Sequence, residues 1–309
     1  MVFNEPVMMS LEQLQDARGQ RVKNIPMKEL LVHVINPARS QLFITYAAYI
    51  ARDLDLTVRY VYVHNPSGFA SGSPQEARDQ VIKKAGRHFQ LQINNLYASD
   101  PDLPLLEHTV EFGSTPDLMQ AYCKSGRVDT IMLCGTKEHS LFSDDTGNID
   151  IIKKVRCPVW IVPEGIVYKP FSEILYATDY HEEDLPNLKL LARFASRFPA
   201  NITAVHITGD AGFEERVMGE GFASMIRKET GYEMVSVKVL PETKGEPLVT
   251  GLHNFALMMD ADLIVLLREN RSFSERLIHG SRSEKIARDT QLPVLIFNEE
   301  RRKIPAGKA

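Results

Sequence analysis

Two consecutive α/β domains are the architecture this sequence predicts, each a doubly wound parallel sheet of about five strands. Three observations predict it. The stretch Val128-Asp129-Thr130-Ile131-Met132-Leu133-Cys134-Gly135, running on to Pro158-Val159-Trp160-Ile161-Val162, reads like Ala261-Asp262-Leu263-Ile264-Val265-Leu266-Leu267, running on to Pro293-Val294-Leu295-Ile296-Phe297. Asp129 and Asp262 lie 133 positions apart and Pro158 and Pro293 135, so the 309 residues hold two copies of one unit. Apolar strand patterns also alternate with helical patterns of roughly 10 to 20 residues, the signature of parallel strands joined by right-handed crossovers. Finally, 44% hydrophobic and 25% charged residues are ordinary globular composition. Halves of about 150 residues each bury a proper core.

The elements follow in order. Ser10 to Arg18 can form a short helix. Leu30 to Ile35 is a mostly apolar strand that stops at Asn36-Pro37. Ser40 is placed to cap a helix from Gln41 to Asp53 that is apolar around most of its circumference, as a helix lying on a sheet should be. Leu56 to His64 returns to strand, and a Ser, Gly and Pro loop from Asn65 to Pro74 precedes a long helix from Gln75 to Ala98. His108 to Phe112 alternates like a third strand, Gly113 to Thr115 turn into a helix from Pro116 to Ser125, and the fourth strand begins at Val128. In the second half Ile174 to Thr178 is a strand ending at Asp179. Leu188, Leu191, Ala192 and Ala195 then share one helical face. Ile202 to Ile207, a helix from Phe213 to Lys228, a strand from Met234 to Leu240 and a helix from Pro247 to Met259 lead into Asp262. The expected division is an N-terminal extension (1–27), a first domain (28–164), a linker (165–172), a second domain (173–300) and a tail (301–309).

Composition excludes several functions. A formal net charge of -4 gives no basic field for a phosphate backbone, so nucleic acid is not an expected partner. No apolar run approaches the roughly 20 residues that span a bilayer, and Met1-Val2-Phe3-Asn4-Glu5-Pro6 lacks the layout of a secretory signal. The expectation is a cytoplasmic protein with no membrane partner. Cys123, Cys134 and Cys157 lie within or beside apolar patterns at no metal-ligand spacing and read as buried reduced thiols. No H-E-x-x-H, C-x-x-C, G-x-S-x-G or G-x-x-x-x-G-K-[ST] motif occurs. His206 reads as a hydrogen-bonded core histidine, and His181-Glu182-Glu183-Asp184 as acidic residues complementing a helix dipole, with no metal expected.

In such sheets ligands bind beyond the C-terminal strand ends, where helix N-termini and loop amides hold anions. Asp179 lies at one such end, and Gly280-Ser281-Arg282-Ser283-Glu284-Lys285-Ile286-Ala287 at the start of the final helical pattern: the glycine permits close backbone approach, and the hydroxyls can cap a helix or meet a phosphate. With Ile174-Leu175-Tyr176-Ala177-Thr178-Asp179, the Ala261 to Val265 strand and Leu292-Pro293-Val294-Leu295-Ile296, this pattern resembles the universal stress protein family over roughly residues 28–300, in its tandem form. The resemblance implies a Rossmann-like fold, an internal pseudo-two-fold relating the two copies through their final strands, an aspartate after strand one that contacts a nucleoside, and a G-x-x-G-x9-G-[ST] loop after strand four around ribose and phosphates.

That loop is degenerate in both copies. Counting back from Gly280-Ser281 places Asn270 and Leu267 at the two earlier glycine positions. In the first copy Gly135 matches the opening glycine, Glu138 replaces the second, Gly147-Asn148 arrives one residue early, and Asn36 stands for the aspartate. Glu138, Asp144 and Asp145 oppose a polyphosphate there, whereas Arg268, Arg271, Arg276 and Arg282 make the second loop basic. The candidate ligand residues are therefore Asp179, Arg268, Gly280, Ser281 and Ser283, with Asn36, Gly135 and Gly147 vestigial and no catalytic or metal residues. The expected protein is a non-catalytic stress-response binding module; the alternative is an ATP- or AMP-binding protein with slow ATP hydrolysis, and a pyrophosphate-releasing ligase lacks its phosphate loop. Expected partners are an intrachain pseudo-dimer, a homodimer and a small phosphorylated ligand, with ATP or AMP held weakly in the second half.

Overall fold

The computed structural model describes residues 28–65, 75–135, 148–180, 184–209, 211–242, 248–268 and 292–298. The first half runs β1 (Glu29–His33), α1 (Gln41–Leu54), β2 (Thr57–His64), α2 (Gln75–Ser99), β3 (Leu106–Phe112), α3 (Thr115–Lys124), β4 (Val128–Gly135), α4 (Asn148–Lys154) and β5 (Val159–Pro163). The second runs β6 (Glu173–Ala177), α5 (Asp184–Ala195), β7 (Asn201–Thr208), α6 (Phe213–Thr230), β8 (Val235–Pro241), α7 (Leu248–Met258), β9 (Leu263–Arg268) and β10 (Val294–Asn298). The expected helix at Ser10 to Arg18 and the one starting at Gly280 lie outside the described residues.

The strands form one ten-stranded sheet in the order β3-β2-β1-β4-β5-β10-β9-β6-β7-β8, parallel within each half. Helices on both faces cover it, which is why β1 carries Leu30, Leu31 and Val32 without alternation: all three are buried, Leu30 and Val32 toward one layer and Leu31 toward the other. Ser40 stands before α1 without a side-chain cap bond; Ile44 N donates to the Ser40 carbonyl to open the helix. Beyond the helix, Asp55 adopts the left-handed conformation at φ 58°, and Leu56 N bonds back to the Ala51 carbonyl. The third strand starts at Leu106, earlier than its alternation indicates, because Leu106 is buried and pairs with Val58.

The halves meet through β5 and β10, the one antiparallel pair among the described strands. Trp160 faces Leu295, Val159 faces Ile296 and Ile161 faces Val294. Trp160 and Leu295 are themselves 135 positions apart, the repeat offset, so equivalent residues face one another at the centre and the flanking pairs exchange symmetrically. That is an isologous contact, with the pseudo-two-fold passing through the Trp160–Leu295 pair. Pairing these strands also removes two apolar sheet edges. Asn298, buried at the end of β10, donates to the Val155 and Cys157 carbonyls at 3.1 and 2.8 Å and ties the second half to the turn preceding β5.

The connecting segment is packed. Tyr168 stacks on Tyr49, meets Tyr46 edge-on and donates its hydroxyl to Asp53. Phe171 touches Tyr168, Trp160, Phe194 and Phe198. A run of aromatic rings thus extends from α1 of the first half to α5 of the second, each contact adding about 0.5–1.5 kcal/mol beyond burial.

One expectation is corrected here. Cys123, in the last turn of α3, and Cys157, just before β5, form a disulfide with their Cα atoms 6.5 Å apart. The pairing is invisible in sequence because it depends on α3 packing beside α4, where Lys154 binds Asp117 at 2.7 Å and Gln120 donates to the Lys154 carbonyl at 3.0 Å. Cys134 is a free, buried thiol, as expected, and burial pushes its pKa up to about 12.

Candidate functional site

Strand order reverses between β6 and β9 in the second half, so its ligand crevice should open at the C-terminal ends of β6, β7 and β9. Thr178, the residue after β6, still bonds to the Val205 carbonyl, and Asp179 follows it at the crevice end of the strand. His206, in β7, points back toward it: Nδ1 lies 3.0 Å from the Thr178 carbonyl and 3.6 Å from Asp179 Oδ1. On the other side of the ring, Nε2 lies 3.9 Å from Glu215 Oε2, in the first turn of α6. Asp179 raises the His206 pKa most; burial opposes it, and the Thr178 carbonyl and Glu215 add to the rise.

Tyr180 completes the group. It sits at φ 61°, a left-handed conformation an aromatic residue rarely adopts, which turns its ring onto His206 at 4.5 Å and Phe222 at 5.1 Å between centroids. Its hydroxyl reaches the niche beside Gly219, where an added Cβ would lie 3.0 Å from that oxygen and 3.1 Å from Val237 Cγ1. The hydroxyl is buried without a hydrogen-bond partner, as is Glu215 Oε2, and burial with the nearby Glu215 charge pushes the tyrosine pKa up to about 12.

Of the expected ligand residues, the structure brings Asp179 to this cluster. Arg268 ends β9 opposite Asn298. Gly280, Ser281 and Ser283 lie outside the described residues, as do Asn270, Arg271, Arg276, Arg282 and His181 to Glu183. Tyr180 and Glu215 were missed, because neither carries a motif and their placement depends on the β6 turn and on α6 crossing β8. His206 is hydrogen-bonded as expected, but at the mouth of the crevice.

Ladder register corrects two equivalences. Val34 N bonds to the Val61 carbonyl as Thr178 N bonds to that of Val205, so Ile35 is the counterpart of Asp179, and Asn36 that of Tyr180. Likewise Gly135 pairs with Pro163 as Arg268 pairs with Asn298, which puts Arg268, and not Leu267, at the opening-glycine position. The first half therefore places an apolar side chain, 42% exposed, where the second has a carboxylate. Asn36 is exposed and accepts a hydrogen bond from Ala38 N at 3.1 Å, a local turn. Gly135 ends β4 and accepts a bond from Glu164 N at 2.8 Å, and Asn148 donates to the Cys134 carbonyl at 3.2 Å. Gly147, Glu138, Asp144 and Asp145 lie outside the described residues.

At the first half's own switch point, His33 ends β1 with only 8% of its surface exposed and Nδ1 without a hydrogen-bond partner. Burial lowers its pKa to about 4. A neutral folded imidazole opposes an unfolded one that protonates near 6.5, so stability is lost as pH falls from about 6.5 to about 4, by up to about 3 kcal/mol. Urea unfolding of His33→Leu beside the parent chain should show the variant relatively more stable at pH 4.5 than at pH 7. An identical difference at both values would contradict the assignment.

Among the described residues, no group of three or more His, Cys, Asp or Glu is arranged to hold a metal ion, and no helix is long and apolar enough to cross a membrane.

Residues 170–298 match the sequence pattern of the Universal stress protein family. A universal stress protein from Archaeoglobus fulgidus DSM 4304 is similar in structure at a TM-score of 0.65, with 16% identity over 87% of this chain and 96% of that one. A functionally unknown protein from Pseudomonas aeruginosa PAO1 is similar at 0.55, with 13% identity over 88% of this chain and 92% of its own. At these identities the likeness concerns the fold. No curated protein matches the chain.

Proposed function

We propose that this chain, whose residues 170–298 form a universal stress protein family domain, is a tandem universal stress protein with domains at 28–164 and 173–300: a cytoplasmic, non-catalytic binding and regulatory module in stress response. The observation that carries this reading is the state of the second crevice. Its acidic groups, Asp179 and Glu215, flank the two sides of the His206 ring at 3.6 and 3.9 Å, while the position equivalent to Asp179 in the first half is Ile35. Phosphoryl transfer needs a positioned water, a base and usually a metal in one open site. Carboxylates spent on opposite sides of one histidine suit a recognition surface better than such a reaction centre.

Any nucleotide, AMP or ATP, is held weakly and in the second half. Asp179 is the acceptor there for ribose or base donors, with Arg268, Gly280, Ser281 and Ser283 toward the phosphates; the resemblance supports these roles, and the apolar Ile35 supports the asymmetry. The test is urea unfolding with AMP or ATP added in increasing amounts. A ligand at 100 times its Kd stabilises by about 2.7 kcal/mol. A stabilisation that Gly280→Val abolishes and Gly147→Val preserves is the expected pattern, and the reverse would move the site to the first half. Turnover of ATP that survives repurification and disappears in Asp179→Ala would overturn the non-catalytic reading.

A further inference from the structure

We propose that His206 is a positioning residue: as an imidazolium it holds the Asp179 carboxylate at the end of β6 and the Glu215 carboxylate of α6 together, forming a proton-operated latch across the mouth of the second crevice. The geometry rests on three elements. Nδ1 sits 3.0 Å from the Thr178 carbonyl, which makes it a hydrogen donor in every protonation state, and brings the Asp179 carboxylate to 3.6 Å. That leaves Nε2 as the site where the second proton binds. In the neutral ring Nε2 is a lone pair facing Glu215 Oε2 at 3.9 Å, two acceptors opposed. Protonation turns this opposition into an ion pair.

The surroundings favour the charged state and place its effect on α6. Among the described residues, the charged groups against the ring are Asp179 from the β6 end and Glu215 from α6; from β8, Val239 pairs beside it in the sheet. Tyr180 lies tilted against the imidazole and carries its hydroxyl into the Gly219 niche, one turn along α6 from Glu215. Glu215 Oε2 and the Tyr180 hydroxyl are both buried without hydrogen-bond partners, an unfavourable arrangement unless a nearby charge offsets it. The imidazolium is that charge. Because the folded pKa is raised, the contribution is fully present below 6.5 and is lost as pH rises through the folded value. The crevice mouth therefore loosens on the alkaline side, where α6 keeps Glu215 but loses its counter-charge. The latch stands on this geometry alone; its influence on a ligand at Asp179 rests on the binding reading above.

The test follows the imidazole signals of the full chain by NMR against pH, with His206 assigned by the signal missing in His206→Gln. His206 is expected to titrate above 6.5, and Asp179→Asn and Glu215→Gln should each lower its midpoint. Hydrogen exchange, compared as protection factors, should show the first hydrogen-bonded amides of α6, residues 216–220, losing protection above the His206 midpoint in the parent chain, and equally unprotected on both sides of it in Glu215→Gln. A midpoint at or below 6.5, one unmoved by both carboxamide variants, or protection of 216–220 unchanged across the titration would each overturn the latch. If Asp179→Asn does not fold, Glu215→Gln alone decides.

Discussion

Truncating Trp160 to alanine is expected to cost about 3–5 kcal/mol, the range for removing a buried tryptophan from a core that cannot collapse around the gap. Collapse is unfavourable here because the residue sits on the pseudo-two-fold. Its backbone pairs with Leu295 across the seam, its ring packs on Phe171 and Phe194, and 2% of its surface is exposed. The cavity would open against the connecting segment and both halves together. Trp160 is the single tryptophan, so unfolding has to be followed by far-ultraviolet circular dichroism. The parent chain should unfold in one transition, since one sheet runs through both halves, and Trp160→Ala should separate it into two. A loss below about 1 kcal/mol with a single transition, typical of substitutions away from a packed core, would show that the aromatic run does not couple the halves.

The seam was legible from the repeat. Once Pro158 and Pro293 are seen as equivalent starts of short apolar strands, two exposed edges of the same pattern need a cover, and each can cover the other. The unalternated runs Leu30 to Val32 and Leu263 to Leu266 likewise announce strands buried on both faces. What the residues could not fix is register within one position. Asn36 stands before Pro37 and looks like the strand-ending polar residue, yet the ladder assigns that role to Ile35; only the carbonyl partner of Val34 decides between them. Leu267 and Arg268 present the same one-residue ambiguity. Glu215 and Tyr180 were illegible for a different reason: their meeting with His206 depends on the left-handed turn after β6 and on where α6 crosses the sheet. The disulfide belongs with these, since a separation of 34 residues says nothing about two helices lying side by side.

Asp262 was read as half of a repeated strand motif, but its side chain holds the second domain's first strand in place, and Asp262→Ala is expected to destabilise by about 3–5 kcal/mol. Oδ2 accepts bonds from Ser172 N and Ser172 Oγ at 2.7 Å and from Glu173 N at 3.0 Å, while Oδ1 meets Lys169 at 2.5 Å. The carboxylate is 2% exposed and Lys169 72%, so solvent screens the ion pair and the amide donors dominate. Alanine would leave two backbone amides and a hydroxyl without their acceptor, each worth about 1–3 kcal/mol. Lys169→Ala should therefore cost less than about 1 kcal/mol. Burial alone would raise the Asp262 pKa, but Lys169, Ser172 and Glu173 outweigh it and hold it below its ordinary value of 3.8. A depressed carboxylate stabilises the fold above its unfolded pKa and loses that contribution as pH falls through the folded one, so the gap between parent and Asp262→Ala should be full at pH 7 and shrink only below pH 3.8. Urea unfolding of both variants at several pH values measures this. Equal losses in Lys169→Ala and Asp262→Ala would mean that the ion pair, not the amide clamp, fixes β6 and with it the position of Asp179 at the strand's far end.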